Sequence, residues 1–210
     1  MTDSMKPLII ITLLGLCQTL SSRSAELEQG PARGFYFNAN AGVSWVQGLS
    51  FSGDPLGTGK LKFDPGVRLD LGGGYRFSDS LAAGIETGLV ANGARTVGSE
   101  EEFNSLTLFQ VPILATLKYQ IPLRSHFRPY LGAGAGGVYT ELDNLDVLGT
   151  VNNSSDFTVG YEGFAGVLYQ ISPRIDLGLE YKFMGTTDHS FQHVGGTRTH
   201  SIAFSFTMRF

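Results

Sequence analysis

The sequence has little charge and almost no cysteine. Only 16% of its 210 residues are charged, and one residue is a cysteine; soluble domains carry about 25% charged residues. The single cysteine argues against a disulfide scaffold, and 42% hydrophobic residues argue against a disordered polyelectrolyte. The formal net charge of −4 gives no basic footprint for nucleic acid. One aromatic-rich, charge-poor domain remains, and the question is which solvent surrounds it.

The sequence also lacks an apolar run long enough for a transmembrane helix, which needs about 20 residues. Its one apolar run near the N-terminus, residues 8–20, is shorter and follows the positive charge of Lys6. Ser22 and Ser24 supply small residues before Ala25, as a signal-peptidase site requires. We therefore predict a secretory signal peptide over residues 1–24 and a short periplasmic tail over residues 25–34.

Alternation of apolar and polar residues is the main pattern after residue 34, and no long helical stripe accompanies it. In the last segment, Ile202, Phe204 and Phe206 alternate with Ala203, Ser205 and other small or polar residues. Seven further segments alternate in a similar way. The eight predicted strands cover residues 35–49, 63–77, 81–89, 109–119, 127–139, 158–170, 175–183 and 201–210.

The links between these segments are alternately short and long. Short turns occupy residues 78–80, 122–126 and 172–174, whereas long polar links occupy residues 50–60, 92–105, 141–157 and 186–198. An even number of antiparallel strands with short turns at one end and long loops at the other is the layout of outer-membrane barrels. We therefore predict an all-β fold, an eight-stranded antiparallel up-and-down transmembrane β-barrel over residues 35–210, with both termini in the periplasm.

Two features indicate that the apolar face is outside. The polar face is mostly Gly, Ala, Ser and Asn with isolated charges, which suits the narrow interior of an eight-stranded barrel better than a water-facing surface. Aromatic residues near the strand ends match the girdles of membrane barrels, the alternative being an ordinary sandwich core. These aromatic residues are Phe35, Phe37, Trp45, Phe63, Tyr75, Phe77, Tyr119, Tyr169, Phe183 and Phe210.

Eleven charged residues then fall on the inward face. They are Arg68, Asp70, Arg76, Glu86, Lys118, Arg128, Glu162, Asp176, Glu180, Lys182 and Arg209. Because unpaired charges in a confined interior are costly, we predict a structural ladder of ion pairs that plugs the lumen. Strand direction places Arg76, Arg128 and Arg209 near the periplasmic rim and the pairs around Glu162 and Lys182 at mid-barrel.

Four segments resemble strands of the small outer-membrane barrels of the OmpA transmembrane-domain and OmpX type. They are residues 110–119, 128–134 and 177–181 and the C-terminal strand that ends in Phe210. The resemblance implies a Gram-negative outer membrane with its lipid and lipopolysaccharide as surroundings. It also implies that the terminal strand is the signal read by the barrel-assembly machinery; its outward residues are Phe204, Phe206, Met208 and Phe210.

Some residues of the long links could carry chemistry. Asp188, His189, Ser190 and His193, with His200 and Ser201 nearby, include the residue types of a hydroxyl-activating catalytic set. His189 and His193 could bind a metal, but a third ligand in register is lacking. The acidic residues 100–102 could bind divalent cations, although solvated loop charge explains them as well.

The function predicted from these features is that of a non-enzymatic outer-membrane protein. It would have a structural or surface-interaction role, with four extracellular loops, a plugged polar lumen and no cofactor or metal. A narrow porin for ions or small solutes is the alternative, and a lipid A-modifying enzyme is the third possibility. Loop composition varies with little effect on a barrel, so the sequence leaves the partner of the loops open.

Overall fold

The computed structural model of the chain describes residues 33–47, 49–53, 57–97, 106–147, 150–187 and 196–210. Within these ranges no helix is long and apolar enough to cross a membrane. The regular elements are ten β-strands: β1 (Gly34–Val46), β2 (Leu49–Gly53), β3 (Gly57–Phe63), β4 (Gly66–Arg76), β5 (Leu81–Val97), β6 (Leu106–Gln120), β7 (Phe127–Val147), β8 (Thr150–Gln170), β9 (Ile175–Thr186) and β10 (Arg198–Arg209).

Eight of these strands form a closed antiparallel barrel, which confirms the predicted fold. Strand β1 pairs with β4 on one side and with β10 on the other, and the chain of pairs continues from β4 through β5 to β10. The β1–β10 register runs from Tyr36 opposite Arg209 to Val46 opposite Thr199. Closure therefore brings the first and last strands of the barrel together over their whole length.

The strand ends differ from the sequence predictions, mainly in the long links. The predicted link 50–60 holds the hairpin β2–β3, whose Lys60–Phe63 segment pairs with β5, and β1 ends at Val46 instead of residue 49. Most of the predicted link 141–157 belongs to β7 and β8, which pair as far as Val147 and Thr150. Antiparallel hydrogen bonding needs no apolar side chains, so strands can continue past the point where alternation fades.

Side chains alternate between the two faces of the barrel wall. On β4, Val67, Leu69 and Leu71 are 52–54% exposed, whereas Arg68 and Asp70 between them are each 1% exposed. The polar face therefore lines the lumen, as the alternation predicts. Phe63 is an exception to the predicted outward set, because it packs against the buried Val46 and Leu108. It belongs to β3, and Asp64–Pro65 interrupts the strand before β4.

The two ends of the barrel are named here by their connections. The turn end carries the three short turns after β4, β6 and β8, together with Phe210, whose backbone N–H donates to the carbonyl oxygen of Phe35. The loop end is opposite and carries the β2–β3 hairpin and the upper parts of β7 and β8. The barrel strands begin at Gly34, one residue before the predicted start. Gly34 has a φ of 153°, a conformation that favours glycine.

Glycine makes room for large side chains inside this narrow barrel. A Cβ atom at Gly132 would overlap the ring of Phe164, and one at Gly166 would crowd the hydroxyl of Tyr130 at 2.6 Å. Phe164 and Tyr130 both point into the lumen and are almost fully buried. The absence of a side chain on the wall is therefore what allows an aromatic ring to fill the centre.

Candidate functional site

Buried side chains occupy the lumen at several levels along the barrel axis. Its middle holds six charged residues, all of them 6% exposed or less, which we call the central charge cluster: Arg68, Asp70, Glu86, Glu162, Glu180 and Lys182. They come from β4, β5, β8 and β9, so four strands meet at this level. Two of the six are cations and four are carboxylates.

Arg68 contacts three of the four carboxylates. Its Nε atom donates to both carboxylate oxygens of Asp70 at 2.9 Å. Its Nη2 atom lies 3.4 Å from Oε2 of Glu162 and 3.8 Å from Oε1 of Glu86. Arg68 and Asp70 are neighbours on the inward face of β4, so their pairing follows from strand geometry alone.

Lys182 contacts all four carboxylates. Its Nζ atom donates to Oδ2 of Asp70 at 3.1 Å and to Glu86, and it lies 3.4 Å from Glu180 and 3.8 Å from Glu162. Glu180 in turn accepts hydrogen bonds from Nδ2 of Asn40 at 3.1 Å and from the hydroxyl of Tyr130 at 2.9 Å. The cluster is thus tied to β1 and β7 as well.

Two apolar layers enclose the central charge cluster, and the sequence analysis did not predict either of them. The upper layer, towards the loop end, consists of Val90, Leu114, Val138 and Met184. The lower layer, towards the turn end, consists of Tyr130, Phe164 and Leu168. The alternation could have identified these residues, because each lies an even number of positions from the inward polar residues of its own strand.

Lys118 is held by aromatic faces beside the lower layer. Its Nζ atom lies 4.7 Å from the ring centroid of Tyr130, 5.7 Å from that of Tyr36 and 5.9 Å from that of Phe164. An ammonium group over an aromatic face is attracted by the ring quadrupole. Lys118, predicted to belong to the ladder of ion pairs, therefore makes cation–π contacts with three aromatic rings.

The turn end of the lumen holds the remaining four predicted residues. Arg209 donates through Nη2 to Oδ1 of Asp176 at 2.7 Å. The other two arginines have amide partners: Arg76 donates to Gln120 at 3.1 Å, and Arg128 donates to Gln170. We call Arg76, Arg128 and Arg209 the turn-end arginine cluster.

Uncharged polar side chains fill the lumen near the loop end. Gln110 donates to the hydroxyl of Thr197 at 2.7 Å and accepts from the hydroxyl of Thr199 at 3.2 Å. Ser44 donates to Oδ1 of Asn92 at 3.0 Å. All five residues are buried, so hydrogen-bonded side chains occupy this level too.

The residues considered for catalysis are divided by the barrel wall or lie outside the described residues. His200 is on the outer face, where its ring nitrogens contact Tyr181 at 2.7 Å and Gln47 at 2.9 Å. Ser201 is buried in the lumen, with its hydroxyl 3.4 Å from the carbonyl oxygen of Lys182.

The other candidate residues of the long links lie outside the described ranges. They are residues 188–193, which include both remaining histidines of the catalytic set, and the acidic residues 100–102. Among the described residues, no group of three or more His, Cys, Asp or Glu could hold a metal ion.

The residues of the predicted assembly signal lie on the outer face of β10. Phe204 is 76% exposed and faces the lipid side opposite Ala41 of β1, and Phe210 follows the strand at the turn end. Phe206 and Met208 lie between them on the same face.

Three solved structures that are similar to this chain are outer-membrane proteins. Neisserial surface protein A (NspA) is 20% identical with a TM-score of 0.60, and the match covers 86% of this chain and 100% of that chain. OprG from Pseudomonas aeruginosa is 18% identical with a TM-score of 0.56, covering 87% and 99%. The outer-membrane protein AlkL is 17% identical with a TM-score of 0.51, covering 90% and 94%. These likenesses confirm the fold.

Among curated proteins, no sequence matches this chain. The family model described as outer membrane protein beta-barrel domain matches residues 10–210, nearly the whole sequence. The resemblance and the location drawn from the sequence are thereby confirmed. The chain belongs to the outer membrane protein beta-barrel domain family, and its place is the bacterial outer membrane.

Proposed function

We propose that this protein is a closed, non-enzymatic barrel that presents its loop end outside the cell in a structural or surface-interaction role. The observation that carries the proposal is the filled lumen. The central charge cluster, the two apolar layers and the polar level near the loop end are all buried. A lumen blocked at successive levels supports a role for the outer surface and the loops in preference to transport.

The charged residues of the cluster support a permanent plug for an energetic reason. Breaking a buried ion pair by removing one partner costs about 3–5 kcal/mol, because the remaining charge is left uncompensated. Each cation here contacts at least three carboxylates, so moving either one disturbs the whole cluster. Opening a path for ions would require this disturbance and a displacement of the apolar layers.

Conductance in planar bilayers tests the plug directly. We expect the full chain, refolded and inserted, to give no steady ion current above the bare bilayer. Lys182→Met leaves Arg68 as the only cation among the four carboxylates of the central charge cluster, and their repulsion should admit water and produce measurable openings. The matched control is Lys62→Met, which removes the same charge from an exposed position on β3. A large, stable current through the unaltered protein would establish the narrow porin instead.

The positions of His200 and Ser201 favour a non-enzymatic role over lipid A modification. A hydroxyl nucleophile must lie within hydrogen-bond reach of its base, and these two side chains are on opposite faces of the barrel wall. His200 also uses both ring nitrogens in contacts with Tyr181 and Gln47. It sits among outward aromatic rings, stacked on Trp45 at 6.4 Å, as a residue of the interfacial girdle would.

Accessibility of an inserted epitope tests the orientation. A tag placed between residues 190 and 191 should bind its antibody on intact cells, because the loop end faces outward in this proposal. The same tag placed between residues 123 and 124, in a turn at the opposite end, should bind only after the outer membrane is permeabilised. The reverse pattern would place the loop end in the periplasm.

A further inference from the structure

The charge inside the lumen is unevenly distributed along the barrel axis. The central charge cluster has two cations and four carboxylates, whereas the turn end has three arginines and, among the described residues, one buried carboxylate, that of Asp176. The turn-end arginines are close enough to act electrostatically on one another, and Asp176 is close to all three. Asp79, on the exposed turn after β4, also acts on Arg76. This end of the lumen therefore has a local excess of positive charge.

Two neighbouring charged groups at this end have buried atoms without a hydrogen-bond partner. Arg209 is 2% exposed, and its Nε and Nη1 atoms have no partner within the described structure, although its Nη2 atom is bonded to Asp176. The second carboxylate oxygen of Asp176, Oδ2, is likewise without a partner there. A buried donor or acceptor left unsatisfied costs about 1–3 kcal/mol, and more when charged, so these atoms need a partner, which a bound water or ion can supply.

We propose that the turn end of the lumen binds a small protonated oxyanion, such as hydrogen phosphate. The anion would lie between the turn-end arginine cluster and Asp176. Guanidinium groups present N–H donors in a fork that fits the oxygens of a tetrahedral anion. The free donors of Arg209 supply such contacts in a buried position. The half-buried Arg76 and Arg128 add positive charge at the entrance.

Asp176 gives the site its selectivity for a protonated anion. Its Oδ2 atom can only accept a hydrogen bond when the group is ionised, so it requires an O–H on the ligand. Hydrogen phosphate carries that O–H at neutral pH and sulfate does not. Sulfate would therefore place an oxygen lone pair against a carboxylate oxygen, which is repulsive.

The ligand enters from the turn end in this proposal. The lower apolar layer of Tyr130, Phe164 and Leu168 separates the arginine cluster from the central charge cluster. Arg76 and Arg128 lie on the opposite side of that layer, beside the turns. The proposed site is therefore separated from the central charge cluster, and it does not depend on whether the rest of the lumen conducts.

Equilibrium dialysis with radiolabelled phosphate tests the site on the full chain refolded in detergent micelles, at an ionic strength fixed with sodium chloride. We expect saturable binding that unlabelled phosphate displaces and that sulfate displaces at least about tenfold more weakly. Absence of saturable binding to the folded barrel overturns the proposal. Equal displacement by sulfate overturns the assignment of a protonated anion.

Variants locate the site. Arg209→Gln and Arg128→Gln should each weaken phosphate binding by about tenfold or more, as expected for loss of a charged hydrogen-bond donor. Arg124→Gln is the matched control, because it removes the same charge from an exposed turn at the same end. Asp176→Asn should reduce the preference for phosphate over sulfate.

Heat-modifiable gel migration checks that each variant is folded, and Arg128→Gln keeps the test decisive if Arg209→Gln does not fold. Equal binding by Arg128→Gln and Arg124→Gln overturns the location.

Discussion

At the scale of the residue, the main feature is that charge is buried together with its partners. Arg68 and Lys182 are almost fully removed from solvent, and each contacts at least three carboxylates. The desolvation cost of such groups is repaid only when geometry is good and remaining polar atoms are satisfied. The stability of the barrel should therefore depend strongly on single charged residues in the lumen.

Arg68→Met should destabilise the barrel by about 3–5 kcal/mol, because four buried carboxylates would be left with Lys182 as the only cation of the central charge cluster. Urea unfolding in micelles measures the change. The double variant Arg68→Met/Asp70→Leu removes a pair rather than one partner, so it should be less destabilised than the single variant. Arg124→Met is the exposed control and should change stability by no more than about 0.5 kcal/mol. An Arg68→Met barrel as stable as this control would contradict the assigned role of the cluster.

Gly132→Ala should also destabilise the barrel, by about 1–3 kcal/mol, because the new methyl group overlaps the ring of Phe164 and approaches the carbonyl oxygen of Leu117 to 2.6 Å. The physical cause can be isolated with a double-mutant cycle. In a Phe164→Leu background the ring is gone and only the close contact with the Leu117 carbonyl oxygen remains, so the same Gly132→Ala change should cost less. Additive effects of the two substitutions in urea unfolding would show that overlap with the Phe164 ring is not the cause.

At the scale of the element, the strands separate two environments along their length. Alternation on β4 and β10 puts apolar side chains towards lipid and polar ones into the lumen. The strands β7 and β8 run past the region of clear alternation and pair up to Val147 and Thr150, with a register shift between Leu142 and Leu145. Backbone pairing maintains these upper parts, whereas burial of side chains fixes the register lower down.

The terminal strand β10 closes the barrel, and we predict that its outward aromatic residues direct assembly. Deleting Phe210 should lower the amount of folded barrel in outer-membrane fractions several-fold, because the signal for the barrel-assembly machinery is predicted to end at that residue. Phe157→Ser is a suitable control, since it removes an exposed phenylalanine from the outer face of β8 near the loop end. Normal levels after the deletion of Phe210 would reject the signal. Refolding of the purified variant in micelles separates a loss of recognition from a loss of stability.

At the scale of the whole molecule, closure removes every exposed sheet edge from the membrane-spanning part. The pairing of β1 with β10 completes the ring of eight strands. In lipid an unpaired backbone group costs several kcal/mol, so a closed barrel is one of the two structures that can span a bilayer. A filled lumen adds buried contacts that resist unfolding.

Such a barrel should remain folded in detergent at room temperature and unfold only on heating. We therefore expect heat-modifiable migration in gels, with the unheated protein running faster than the boiled protein because the folded barrel is smaller. The variant Tyr36→Pro is a matched comparison, because Tyr36 lies opposite Arg209 at the seam and proline removes a backbone donor there. Identical migration before and after boiling of the unaltered chain would contradict a stable closed barrel.

The sequence by itself determined the class of the fold, the number of barrel strands and, apart from Phe63, which of the assigned side chains face inward. These features follow from local alternation and turn spacing, which need no knowledge of distant residues. The family resemblance added the membrane in which the barrel lies. The upper halves of β7 and β8 were missed because polar strand extensions carry no apolar period.

Only the tertiary structure decided how the inward residues combine. Lys182 contacts Asp70, which is 112 residues away, because closure brings β9 and β4 to the same level of the lumen. The same closure gives Lys118 its aromatic partners, gives Arg76 and Arg128 their amide partners, and leaves donors of Arg209 unsatisfied. Alternation specifies a direction for each side chain, but height and angle around the barrel axis depend on strand register and shear, which are properties of the closed sheet as a whole.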